Sequence, residues 1–122
     1  MRKIAVMYGG SSQNSRTYKT STFGKYIDQL IPIRQFAETS LAEYDVLIIP
    51  SQTHTRLLDE NIHKIYEFAN EGKIVVTMGP QHREWLPAHK WEFRPTNFWW
   101  WREPGADSGL RLLGKDHDLF RN

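Results

Sequence analysis

Residues 44–79 read YDVLIIPSQTHTRLLDENIHKIYEFANEGKIVVTMG, and this stretch decides the fold. Asp45 precedes Val46-Leu47-Ile48-Ile49, an apolar run with no alternation and mostly β-branched side chains. That composition fits a strand buried on both faces of a parallel sheet. Pro50 and Ser51 close it, and the polar loop Gln52-Thr53-His54-Thr55-Arg56 follows. Leu58, Ile62, Ile65, Tyr66 and Ala69 then mark one face of a helix, with Asp59 placed as its N-cap and Gly72 as the left-handed residue that ends it. Lys73–Met78 is a second apolar run, broken at Gly79-Pro80. Strand, helix, strand at this spacing is a βαβ unit, which joins parallel strands through a right-handed crossover.

Upstream, Lys3–Met7 is a short apolar run bounded by Gly9-Gly10, a strand that feeds a loop rich in Gly, Ser, Asn and Thr. Phe23, Tyr26, Ile27 and Leu30 fall at i, i+3, i+4, i+7 and predict an amphipathic helix that Pro32 stops. Ile33–Phe36 is then the second strand. The resulting order, strand, helix, strand, strand, helix, strand, is that of an open parallel α/β sheet. In such sheets ligands bind beyond the carboxyl ends of the strands. Here those ends are Tyr8–Thr17, Pro50–Arg56 and Gly79–Arg83. Downstream the periodicity fades, and all five tryptophans lie between Trp85 and Trp101. A sheet of this type usually closes with another strand and helix, so the single domain expected over 1–122 is read as C-terminally shortened.

Composition bounds the chemistry. With no cysteine there is no disulfide, thiolate metal site or thiol nucleophile. No run approaches the ~20 apolar residues of a membrane span, and MRKIAVMYGG is too short in its apolar part for a signal peptide. A cytoplasmic location is expected. The net charge of +2 makes no case for nucleic acid. Its distribution is uneven: residues 1–40 hold six Lys/Arg against Asp28 and Glu38, whereas residues 41–80 hold three against six acids. This excess is read either as a solvated basic face or as an anion site.

The run Tyr44–Pro50, the helix up to Gly72 and Lys73–Gly79 together resemble class I glutamine amidotransferase-like domains. The likeness is to their non-catalytic branch, found as a trimerisation domain of some β-galactosidases and in ThuA-like trehalose-utilisation proteins. It covers residues 41–80, and Asp116-His117-Asp118-Leu119-Phe120 is similar to a signature late in such domains. The resemblance implies a flavodoxin-like α/β fold: a three-layer open parallel sheet, here with an aromatic-rich C-terminal extension. In catalytic members the strand ending at Met78 would lead to a cysteine on a strained elbow, where backbone N–H groups stabilise an oxyanion. This chain has Thr77-Met78-Gly79-Pro80-Gln81 there, with no thiol, and Pro80 removes a donor. No catalytic residue is therefore assigned and glutaminase activity is not expected. The implied role is binding of a small polar ligand or assembly, with a sugar-like ligand and a homo-oligomer as the expected partners.

Gly9-Gly10-Ser11-Ser12-Gln13-Asn14-Ser15-Arg16-Thr17 resembles, in contrast, the phosphate loop of flavodoxin-like FMN reductases. Small hydroxyl side chains and backbone amides suit a phosphate, and Arg16 and Lys19 add charge. FMN is thus the alternative cofactor, the leading reading having none. Against it, Pro50-Ser51-Gln52-Thr53-His54-Thr55 lacks the aromatic residue that such reductases place under the flavin ring. The candidate ligand residues are Ser11, Ser12, Asn14, Ser15, Thr17, Gln52, His54, Gln81 and His82. No metal is assigned, because His54, His82, Glu84 and His89 match no ligand spacing.

Phe98-Trp99-Trp100-Trp101 is read as a strand-like segment with Trp99 and Trp101 on one face and Trp100 on the other. Core packing, an interface and ring stacking are its three candidate roles. Arg94 and Arg102 flank the run, but Glu92 and Glu103 balance them, against a nucleic-acid platform.

Overall fold

The computed structural model describes residues 1–79, 92, 97–111 and 116. The chain divides into two compact units, Met1–Trp91 and Glu92–Asn122. The first holds a four-stranded, wholly parallel sheet of strands β1 (Ile4–Tyr8), β2 (Gln29–Pro32), β3 (Val46–Ile49) and β4 (Ile74–Thr77), in the order β2-β1-β3-β4. It is a small α/β fold.

The central pair carries the core. Ala5, Val6 and Met7 of β1 and Leu47 and Ile49 of β3 are fully buried. Around them pack Ile31, Ile33, Phe36, Leu41, Tyr44, Leu58, Ile65 and Phe68. These are the residues the apolar runs offer, and their burial is the main stabilising term.

Three expectations are corrected. Residues 23–30 form no helix. A short helix α1 (Ser12–Ser15) begins earlier and widens into a π-helical turn over Arg16–Thr20, closed by the Ser21 N–H donating to the Arg16 carbonyl at 3.0 Å. A 3-10 turn over Gly24–Tyr26 follows, and the chain then enters β2. The apolar spacing of Phe23, Tyr26, Ile27 and Leu30 was a coincidence of a turn and a strand, and Phe23 and Tyr26 are exposed. The second strand is accordingly Gln29–Pro32, not Ile33–Phe36, which begins with a 3-10 turn (Ile33–Gln35). Pro32 ends the strand instead of stopping a helix. It can do so because β2 is an edge strand, where a missing N–H leaves no partner unsatisfied.

The predicted helix is also two. Helix α2 (Thr55–Glu60) and helix α3 (Ile62–Asn70) are separated at Asn61, whose φ of −108° and ψ of 4° leave the helical region. Asp59 lies inside α2, so His54 takes the N-cap position without a side-chain cap. Asn61 is buried and its side chain donates to the Leu57 carbonyl at 2.8 Å, satisfying the break. Phe68 joins Leu58 and Ile65 in the core while Tyr66 is only half-buried. Gly72 does adopt the left-handed conformation, with φ 80°.

Register is set at the amino end of β1. The Asp45 carboxylate accepts from the Lys3 N–H at 2.8 Å and the Asp28 carboxylate from the Ile4 N–H at 2.7 Å. Each aspartate stands just before a neighbouring strand, so the two carboxylates tie β3 and β2 to β1 in line. The connection from β2 to β3 holds no α-helix, and lysines from the other crossover satisfy its carbonyls. The Lys64 ammonium donates to the carbonyls of Phe36 at 2.7 Å, Ala37 at 2.8 Å and Thr39. Lys73 reaches those of Leu41 and Ala42, and its charge lies over the Phe68 ring.

Candidate ligand site at the carboxyl ends of the strands

All four strands are parallel, so their carboxyl ends share one edge of the sheet. Tyr8 ends the central strand β1, and three clefts open around it. The widest, about 770 Å³, is lined by Tyr8, Gly10, Ser12, Gln13, Ser15, Arg16 and Thr20. A second of about 500 Å³ runs under the π-helical turn and includes Tyr18, Lys19, Asp28 and Gln29. A third of about 270 Å³ passes Gly9 and Gly10 to Pro32, Arg34 and Gln35 at the end of β2.

Local contacts shape the loop that leaves β1. The Ser11 hydroxyl accepts from the Asn14 N–H over a long 3.5 Å, and the Ser15 N–H donates to the Ser11 carbonyl at 3.0 Å, which starts the helical turn. The Asn14 side-chain amide reaches the Ser51 carbonyl at 3.4 Å, linking this loop to the one after β3. Burial pushes the Tyr18 hydroxyl above its ordinary range.

The loop after β3 is a tight turn. Thr53 is buried and its hydroxyl donates to the Pro50 carbonyl at 2.6 Å. Gln52 at its tip has φ 62°, the left-handed region that a residue with a Cβ enters at a cost. Gly79, after β4, closes on this turn. Its φ is 70°, and a methyl group placed on it would stand 2.8 Å from the Ser51 Cβ. Only glycine fits there.

Of the sequence candidates, Ser12 and Ser15 line the widest cleft. Ser11 and Asn14 hold the loop's shape. Thr17 is exposed and its carbonyl accepts from the Ser21 hydroxyl. Gln52 and His54 are exposed on the neighbouring loop and line none of these three clefts. Gln81 and His82 lie outside the described residues, as do Glu84, His89 and the 117–120 part of the late signature. Arg34 went unseen in the sequence, and Tyr8 was named only as the start of the first carboxyl-end loop, not as a ligand residue. Tyr8 had its signal, as the last residue before Gly9-Gly10. Arg34 had none once the second strand was placed over it.

Among the described residues no group of three or more His, Asp or Glu gathers as a metal site. No helix among them is long and apolar enough to cross a membrane.

In the second unit, Trp100–Arg102 forms a 3-10 turn, not a strand. The Trp99 and Trp101 rings nonetheless meet, at 6.0 Å between centroids, because the turn brings i and i+2 together. Phe98 packs edge-on against Trp99 at 5.3 Å, and the Arg102 guanidinium lies over both indoles. All four aromatic residues are exposed. Asp107 and Arg111 pair nearby through a fork that holds the carboxylate well below its usual range.

No protein-family model, curated protein or solved structure matches the chain, so the site is read from its own geometry.

Proposed function

We propose that the chain is a ligand-binding domain of the flavodoxin-like, three-layer type, similar to the non-catalytic glutamine amidotransferase-like branch. Its site takes a small polar molecule at the carboxyl edge of the sheet. The observation that carries this reading is the position of Tyr8: β1 lies between β2 and β3, and its last residue borders all three clefts. Where the chain leaves a central strand toward opposite sides, the loops part and leave a crevice in which ligands bind. The absence of cysteine keeps glutaminase chemistry out of the proposal.

The test is thermal unfolding of the full chain with neutral sugars, nucleosides, FMN and inorganic phosphate. A compound that raises Tm for the wild type but not for Ser12→Glu, which fills the widest cleft, supports the reading. A compound equally effective on both binds elsewhere and counts against it.

FMN remains the second reading, favoured by Ser12, Ser15 and Arg16 on one cleft. Quenching of flavin fluorescence at micromolar FMN, abolished by Ser12→Glu, would establish it. Assembly through the exposed Trp99–Trp101 group is the further part of the proposal, and light scattering on wild type and Trp101→Ala tests it.

A further inference from the structure

Strand β4 ends one side of the sheet, and among the described residues it pairs with β3 alone. Its sequence, Ile74-Val75-Val76-Thr77, holds no charge and no proline. The register to β3 is unbroken over the whole strand, so no bulge twists it away. Proteins guard such an edge with a lysine, a proline or a bulge, because its outer row of amides otherwise templates another strand. The nearest lysine is turned elsewhere. The Lys73 ammonium donates to the Leu41 and Ala42 carbonyls and pairs with Glu71 at 2.9 Å.

The ladder fixes what the outer side presents. The Ile74 N–H donates to the Asp45 carbonyl and the Met78 N–H to the Ile49 carbonyl, each at 2.9 Å. Each residue of a strand points its N–H and C=O to the same side, and successive residues alternate. Ile74, Val76 and Met78 therefore face β3, while Val75 and Thr77 turn their backbone groups outward. Side chains alternate as well, between the two faces of the sheet. Val75 packs against the core, so Ile74, Val76 and Met78 share the opposite face. There Ile74 is 40% exposed, Met78 46% exposed and Val76 half-buried.

An antiparallel partner strand must set outward-pointing residues opposite one another, because each such pair exchanges two hydrogen bonds. For two copies of β4, a two-fold axis through Val76 does this. Val75 then lies opposite the partner's Thr77, and Thr77 opposite the partner's Val75. The same axis sets Ile74 against the partner's Met78 and Met78 against the partner's Ile74, so the exposed side chains cover one another. Lys73 falls opposite the partner's Gly79, and no like charges meet. Centred on Val75 instead, the pairing would bring Lys73 opposite the partner's Thr77 and leave Met78 uncovered.

A patch that complements itself about one axis suits an isologous interface. From this register we infer that the edge of β4 is an interaction surface for a second copy of the chain, joining two sheets into one. The strand is short, so the buried area falls below about 1,200 Å² and the dimer is weak and concentration-dependent. The pairing uses neither the clefts around Tyr8 nor the Trp99–Trp101 group, and so goes beyond the function proposed above.

Sedimentation velocity of the full chain over about 1–500 μM is expected to show a reversible dimer. Ile74→Lys and Met78→Glu each set a charge against an apolar side chain and should weaken it by about tenfold or more. The double variant Ile74→Lys/Met78→Glu places opposite charges face to face across the axis and should recover most of the affinity. Trp101→Ala should leave the dimer unchanged, and circular dichroism checks that each variant is folded. In the wild type, hydrogen exchange at the Val75 and Thr77 amides should slow as concentration rises, whereas exchange at Ile74 should not.

A monomer at every concentration overturns the inference. So does a dimer that survives Ile74→Lys but is lost in Trp101→Ala, which would move assembly to the aromatic turn. Folded single variants whose combination recovers nothing overturn the register, and the inference with it. Should the variants fail to fold, exchange at Val75 and Thr77 that ignores concentration overturns it in the wild type alone.

Discussion

Gly79 and Ser51, which follow adjacent strands, approach so closely that the smallest side chain on Gly79 would stand 2.8 Å from the Ser51 Cβ. The Met78 N–H donates to the Ile49 carbonyl at 2.9 Å, so the ladder between β3 and β4 runs up to this contact. Gly79→Ala meets both a left-handed φ and a collision, and is expected to cost about 2–4 kcal/mol in urea unfolding. Ser51→Gly on that background removes only the collision. The double-mutant cycle should therefore show a coupling of about 1 kcal/mol or more. A cost below half a unit for Gly79→Ala would mean that the two loops do not close together.

Asp45 and Asp28 each hold one amide of the first strand. Asp45→Ala should speed hydrogen exchange at Lys3 and Asp28→Ala at Ile4, each with a loss of about 1 kcal/mol. Exchange that rises at the wrong amide would show that the register differs.

Lys64→Met keeps the aliphatic stem and removes the charge that gathers the carbonyls of Phe36, Ala37 and Thr39. A loss of about 1–3 kcal/mol is expected, partly recovered in Lys64→Arg. Equal losses in both variants would trace the effect to packing instead.

Burial, and secondarily the Glu43 carboxylate, raises the Tyr44 hydroxyl above its ordinary value of 10.0. Its neutral form donates to Gln29 in the folded state. A pKa raised by folding gives stability that is complete below the unfolded value and is lost as pH climbs through the folded one. Wild type should thus lose more stability than Tyr44→Phe between pH 8 and about 11. Parallel decline of the two proteins would remove Tyr44 as the cause.

Gln52→Gly relieves the left-handed backbone at φ 62° and should stabilise the protein by about 1 kcal/mol. Circular-dichroism melts read the gain, and a lower Tm would show that the Gln52 side chain makes up for its own strain.

Elements dominated by continuous apolar runs were legible in advance. Val46–Ile49 lies where its side chains put it, and Ile74–Thr77 within one residue of each expected end. The region 23–36 was not, because four apolar residues at helical spacing are shared between a turn and an edge strand. That misplacement hid Arg34. The hydroxyl-rich loop was visible as a ligand candidate, and Ser12 and Ser15 do line a cleft. Gln52 and His54 were grouped with them by chain position alone, and the structure sets them on a separate turn.

Residue types and local period were enough to exclude thiol chemistry, to place two parallel strands about a helical crossover, and to mark polar loops after three of the four strands. These are properties of residue type and local period, and they do not depend on what lies across the sheet. The place of β1 between β2 and β3, and the clefts sharing Tyr8 that Arg16 and Arg34 line, come from the folded chain alone. So does the contrast between Lys64, engaged by carbonyls, and Lys19, whose side chain has no partner among the described residues. Strand order and the pairing of charges are long-range choices, made by which apolar faces bury together, and no local pattern encodes them.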